Sequence, residues 1–140
     1  MKILLAVDGS EFTRRMLDYI TVHPKLFGDA PDFTVLTVVS ALPPRATAFS
    51  NSDTVHAYYD DEARQVLDPI RQILDGKGLK ANYVHRVGNP GSEISVAARE
   101  GAFDMVVMGS HGHNAIQTLV MGSVAAKVVG GCEVPVLIVR

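Results

Sequence analysis

A chain of 140 residues has room for one well-filled core and no second one, so a single domain over residues 1–140 is expected. Hydrophobic residues at 47% against 20% charged exclude a disordered segment. A net charge of −2 without clustered lysines and arginines, and the absence of tryptophan, exclude a nucleic-acid surface or a base-stacking platform.

The chain opens with Lys2–Val7, a short continuous apolar run expected as a strand buried on both faces. The run stops at Asp8, too early for the apolar segment of a signal peptide. No stretch approaches the roughly 18 apolar residues of a membrane span. The expected location is the cytoplasm, with no membrane partner. Ser10 is placed to cap a helix in which Phe12, Met16, Leu17 and Ile20 recur at helical spacing, and Pro24 stops that pattern.

Phe33–Val39 is the second predicted strand. Ser40–Ser52, with Pro43-Pro44 and small polar residues, reads as a long loop of the kind that forms lids or binding loops. A helix follows from about Asp53 to Leu74, with Val55, Tyr59, Val66, Ile70 and Leu74 near one face. Pro69 inside it predicts a kink or a break, and Gly76 and Gly78 end it. Lys80–Val87 is a third, weaker strand. Asn89 then caps a helix with Pro90 in its first position, and Phe103–Met108 forms a fourth strand. A last helix over Val124–Val129 and a final strand over Val134–Val139, suited to a sheet edge, complete the chain. Cys132, the one cysteine, reads as a small, nearly buried residue before that strand rather than a reactive thiol.

Strands alternating with helices predict a doubly wound α/β fold: five parallel strands, right-handed crossovers and helices on both faces. Ligands of such sheets bind beyond the C-terminal strand ends, where strand order reverses. The loops beginning at Asp8, Ser40 and Gly109 leave strands at that edge.

The stretch leaving the fourth strand carries the chemistry. Gly109 and Gly112 are followed, nine residues after the second, by Gly122-Ser123 at the start of the last helix. Glycines let a backbone approach an anion and adopt positive φ. A helix start offers unpaired N–H groups, and Ser123 is read as both phosphate donor and helix cap. Asp8 ends the first strand at the same edge, as an acceptor for a nucleobase or ribose, or as a turn residue. His111 and His113 read as polar loop residues near phosphate rather than zinc ligands, and Lys127 as a solvated helix residue. Three other signatures are missing: the P-loop lysine, the G-x-S-x-G elbow and the dinucleotide G-x-G-x-x-G.

Three pieces together resemble the universal stress protein family, and the resemblance spans essentially the whole chain. They are Lys2-Ile3-Leu4-Leu5-Ala6-Val7-Asp8-Gly9-Ser10, then Gly88-Asn89-Pro90, then Met108-Gly109-Ser110-His111-Gly112 through Gly122-Ser123-Val124 to Pro135-Val136-Leu137-Ile138-Val139-Arg140. The glycine spacing is that of the family's ATP-binding branch. The resemblance implies a Rossmann-like domain that binds ATP, ADP or AMP, with Mg2+ held through the phosphates, and a homodimer built on the last strand, Val134–Val139. It implies Asp8 and Val38 or Val39 around the adenosine, Met108, Gly109 and Gly112 along ribose and phosphates, and Gly122, Ser123 and Val124 on the phosphates. Where many members carry Arg-Ser after the second glycine, this chain has His113-Asn114, which weakens charge compensation for a triphosphate while Asn114 keeps a hydrogen-bond donor. The implied role is a stress regulator. A slow Mg2+-dependent ATPase or phosphotransferase and a nucleotide-free dimeric scaffold are the alternatives. Replacing both Gly109 and Gly122 by alanine is expected to abolish nucleotide retention without unfolding the chain.

Overall fold

The computed structural model describes residues 1–115 and 120–140. In chain order the elements are β1 (Lys2–Val7), α1 (Glu11–Val22), a 3-10 turn (Pro24–Phe27), β2 (Asp32–Val39), α2 (Pro44–Thr47) and α3 (Ser52–Gly76). Then come β3 (Ala81–Val87), α4 (Pro90–Glu100), β4 (Met105–Gly109), α5 (Ser123–Gly131) and β5 (Val136–Val139). The strands form one parallel sheet in the order β3-β2-β1-β4-β5. β1 therefore lies at the centre and β5 at an edge, as its place at the chain's end suggested.

Two cores sandwich the sheet. Ile3, Leu5, Val7, Phe33, Val35 and Val107 point to one face, where Met16, Leu17 and Ile20 of α1 and Leu67, Ile70 and Leu74 of α3 cover them. Leu4, Ala6, Leu36, Val106 and Met108 point to the other, under Ile94, Ala97 and Ala98 of α4 and Ala125 and Val128 of α5. The alternation of a strand explains the division, since successive side chains leave opposite faces. Chain running outward from β1 to β3 carries its helices on one face, and chain returning through β4 to β5 carries them on the other.

Helix starts follow local chemistry. The side chains of Ser10, Asn51 and Asn89 accept the N–H of Thr13, Thr54 and Ser92 and so cap α1, α3 and α4. Pro24 and Pro44 each open a short helical turn, because a fixed φ and a missing N–H suit the first helical position. The Ser40–Ser52 loop thus contains α2, and its Leu42 N–H donates to the Tyr59 hydroxyl at 2.9 Å.

Several boundaries differ from expectation. α3 runs unbroken through Pro69 for 25 residues. Leu67 and Ile70 are buried on either side of the proline, and packing on the sheet holds the helix where one missing hydrogen bond would break a solvated one. Its buried face is Ala63, Leu67, Ile70 and Leu74, so Val55 and Tyr59 lie outside the core. β4 begins at Met105 rather than Phe103 and includes Gly109, β3 begins at Ala81, and β5 is only Val136–Val139.

Candidate functional site at the β1–β4 switch point

β1 and β4 are neighbours, with Ala6 opposite Met108. The chain leaves them toward opposite faces, into α1 and α5. That divergence opens the crevice in which ligands of such sheets bind, and it brings Asp8 to the glycine stretch.

Asp8 is fixed by the loop it begins. Gly9 at φ +78° turns the chain so that the Ser10 N–H donates back to Asp8 Oδ1 at 2.9 Å. The Thr13 hydroxyl donates to the same oxygen at 3.0 Å and accepts the Asp8 N–H at 3.1 Å. Oδ2 faces Gly112, where an added Cβ would sit 2.6 Å from it. His113 closes over the same turn, with its Nε2 donating to the Asp8 carbonyl oxygen at 2.7 Å. Because a carbonyl only accepts, Nε2 carries the proton.

The glycines depart from expectation in their backbone angles. Gly109, Gly112 and Gly122 all lack positive φ, and protein fills the space where each Cβ would go. At Gly109 that space belongs to Phe12, with its Cβ at 2.7 Å and its backbone C and O at 3.1 Å. At Gly122 it holds His111 Cα at 3.1 Å and the Ser110 carbonyl oxygen at 3.2 Å, and the Gly122 N–H donates to that oxygen at 2.7 Å. The spacing therefore folds the loop onto α1, Asp8 and itself. Gly109 in particular is a packing residue, so the expected benign double alanine variant is corrected: it would disturb the α1–β4 contact.

The start of α5 is tied to this loop through the Gly122 N–H. Gly122 is its N-cap, and among the described residues no side chain caps it. Ser123 is not the cap expected of it; it occupies the first helical position, exposed, with Val124 next. Val38, Met108 and Val124 share the α4–α5 core, while Val39 packs on the opposite face. Only Val38 of that pair lies on the side of α5. Asn114 is exposed beside His113.

His111 and Lys127 have structural partners. His111 Nδ1 lies 2.9 Å from the buried Ser110 hydroxyl, and its ring packs against Phe12 in a tilted pair, 5.0 Å between centroids. Lys127 is turned from the start of α5 onto α4, where its ammonium donates to Asn89 Oδ1 at 3.1 Å. Its stem fills the space a Cβ at Gly91 would need. Thr13 and Phe12 were not singled out as site residues in the sequence. The available signal was a threonine at the third helical position after Asp-Gly-Ser; Phe12 carried only its core spacing.

Among the described residues no group of three or more His, Cys, Asp or Glu gathers as metal ligands, and no helix is long and apolar enough to cross a membrane. Two surface hollows lie elsewhere. One of about 600 Å3 is lined by Tyr19, Val22, His23, Pro24, Lys25 and Leu26. The other, of about 200 Å3, includes Arg99, Phe103 and Cys132. Neither reaches the switch point. The shifted ionisations are also remote. Hydrogen bonding to Arg86 holds the exposed Glu100 carboxyl below the usual glutamate range, and burial, with Asp75 nearby, raises the Tyr83 phenol.

The sheet order and the divergence of β1 and β4 toward opposite faces define a Rossmann-like α/β protein with its crevice at the β1–β4 junction. The chain belongs to the universal stress protein family, whose sequence profile matches residues 1–140. It is 29% identical over 147 aligned positions to the universal stress protein YxiE of Bacillus subtilis, covering 99% of this chain and 98% of YxiE. The solved structure of MJ0577, a universal stress protein of Methanocaldococcus jannaschii, superposes with a TM-score of 0.81 at 27% identity, over 99% of this chain and 94% of that one. A universal stress protein of Archaeoglobus fulgidus solved in complex with dAMP has the same fold, with a TM-score of 0.66 at 24% identity over 100% of this chain and 98% of that one. Another solved in complex with cAMP has a TM-score of 0.71 at 20% identity, over 100% and 97%.

Proposed function

We propose that this chain binds an adenine nucleotide at the β1–β4 junction and acts in the cytoplasm as a nucleotide-dependent stress regulator rather than a catalyst. The observation that carries the reading is the start of α5. α1, α3 and α4 are each capped by a side chain, whereas α5 starts at a glycine with no side-chain cap among the described residues, on the loop whose Gly112 faces Asp8. Family membership and the relatives solved with dAMP and cAMP support the same ligand class.

The residues fit such a group in kind. The N–H groups of Ser123 and Val124 would take phosphate oxygens. Asp8 Oδ2 would accept from the nucleoside, and Val38 and Met108 would supply apolar wall. A helix start contributes only about 0.3–2 kcal/mol, whereas micromolar affinity needs about 8 kcal/mol. Most of the binding energy must therefore come from the nucleoside contacts and several N–H donors together. ATP, ADP and AMP are all candidates, with Mg2+ carried on phosphate oxygens and water. The regulator reading follows from the side chains at hand. One Asp8 oxygen is consumed by the turn, and Lys127 is engaged on α4, whereas phosphoryl transfer relies on cationic stabilisation of developing charge. A second copy of the chain is the proposed partner, paired along the edge strand β5.

Denaturing freshly purified protein and identifying the released nucleotide, followed by calorimetric titration with ATP, ADP and AMP, tests the binding. Recovery or saturable binding of at least one is the expected result. Neither retained nucleotide nor binding of any of the three would overturn the reading. Mg2+-dependent ADP release that vanishes in Asp8→Ala would overturn the regulator half of it.

A further inference from the structure

The geometry points to Thr13 as a positioning residue that sets nucleoside selectivity through Asp8 without touching the ligand; this rests on the nucleotide-binding reading above. Thr13 is buried at the third position of α1. Its hydroxyl is used twice by one residue, accepting the Asp8 N–H at 3.1 Å and donating to Asp8 Oδ1 at 3.0 Å. The Ser10 N–H takes the same Oδ1 at 2.9 Å. These contacts close a ring that stops the carboxylate from rotating about its Cβ–Cγ bond, and they occupy Oδ1 with two donors. One acceptor, Oδ2, is left, directed at Gly112 on the opposite wall of the crevice.

A carboxylate so held is a directional reader. A free aspartate can present either oxygen and adapt to several ligands. Here the ligand must bring a hydrogen-bond donor to one fixed place, because a carbonyl acceptor there would meet a like partial charge it cannot escape. The exocyclic amine of adenine and a ribose hydroxyl both supply such a donor. Valine at position 13 keeps the shape of threonine but removes the hydroxyl. The carboxylate then keeps only the Ser10 N–H on Oδ1 and can turn about it, while the rest of the crevice stays intact.

The experiment measures dissociation constants of AMP, IMP and 2′-deoxy-AMP for the full chain and for Thr13→Val, Thr13→Ser and Asp8→Asn. IMP replaces the amine by a carbonyl, and the deoxy analogue lacks one hydroxyl, so together they show which donor Oδ2 reads. The unmodified chain is expected to favour AMP by about tenfold over one of the two analogues. Thr13→Val should bring that ratio to within about twofold, and Thr13→Ser should keep it. Thermal melting establishes that each variant is folded, and Thr13→Ala replaces valine if that variant is not. A uniform loss of affinity for all three ligands would make Thr13 merely structural and overturn the inference. A ratio preserved in Thr13→Val would also overturn it. If that ratio is preserved while Asp8→Asn changes it, the nucleotide site stands and only the role of Thr13 falls. Failure of the unmodified chain to bind any of the three removes the nucleotide reading and this inference with it.

Discussion

Alanine at Gly109 and alanine at Gly112 should fail in different ways, the first mainly in stability and the second mainly in ligand affinity, although the two residues belong to one motif. At Gly109 the new methyl meets Phe12 Cβ at 2.7 Å and the Phe12 backbone at 3.1 Å. A side chain could swing aside, but the backbone of the first turn of α1 cannot, so the strand and the helix must separate. Overpacking of this kind costs about 1–3 kcal/mol. With an unfolding entropy of about 2.1 cal/mol/K per residue, that loss lowers the melting temperature of a chain this size by about 3–10 °C. At Gly112 the new methyl meets, among the described residues, the Asp8 carboxylate alone, with its oxygen at 2.6 Å, in a half-exposed loop. Shifting the pinned carboxylate disturbs its hydrogen bonds at a cost of about 0.5–1.5 kcal/mol, below that at Gly109, while nucleotide affinity falls as Oδ2 is displaced. Calorimetric melting and nucleotide titration of the two single variants separate the effects. Gly109→Ala melting with the unmodified protein, or Gly112→Ala binding as tightly as it does, would refute the division of labour.

Other consequences are equally open to measurement. The Tyr83 hydroxyl oxygen is sealed from solvent and has no hydrogen-bond partner among the described residues. Tyr83→Phe should therefore stabilise the chain by about 1 kcal/mol in urea unfolding. The folded state also raises the Tyr83 phenol. The stability this provides is full below the pKa of an unfolded tyrosine and is lost as pH rises past it, so the alkaline fall in stability should be shallower in Tyr83→Phe. Glu100 behaves in the opposite sense. Hydrogen bonding to Arg86 lowers its folded pKa, so its contribution is present above the unfolded glutamate value and lost as pH falls; Arg86→Met should blunt that acid limb. Asn89→Ala removes both the cap of α4 and the acceptor for Lys127, and a loss of about 0.5–2 kcal/mol in denaturant melts is expected.

Where local chemistry decides, the sequence was readable. Ser10 and Asn89 cap the helices they were expected to cap, and the apolar run Lys2–Val7 is the central strand. Where a distant partner decides, it was not. Pro69 looked like a break because the burial of Leu67 and Ile70 on the sheet is invisible in their neighbours along the chain. Pro24 and Pro44 do announce short helical turns, but a four-residue turn has too few positions for a period to show. The candidate site divides in the same way. The uncapped helix start could be placed because Gly122 and Ser123 are adjacent, although which of them is the cap could not. The use of Gly109 against Phe12 depends on contact between residues far apart in sequence, and the pairing of Lys127 with Asn89 joins residues 38 apart.

The central position of β1 also governs the order of events during folding. Its partner β2 lies one crossover helix away, pairing Lys2 with Asp32, but β4 arrives much later, and Lys2 meets Asp104 across 102 residues. Closing that long loop is the slow, entropically opposed step. Nascent chain emerging from a ribosome can assemble β1 to β3 with α1 and α3 before β4 exists, yet Asp8 acquires its opposite wall only when β4 docks. Any ligand of the crevice would recognise finished chains alone, and its binding would hold together the two segments that meet last.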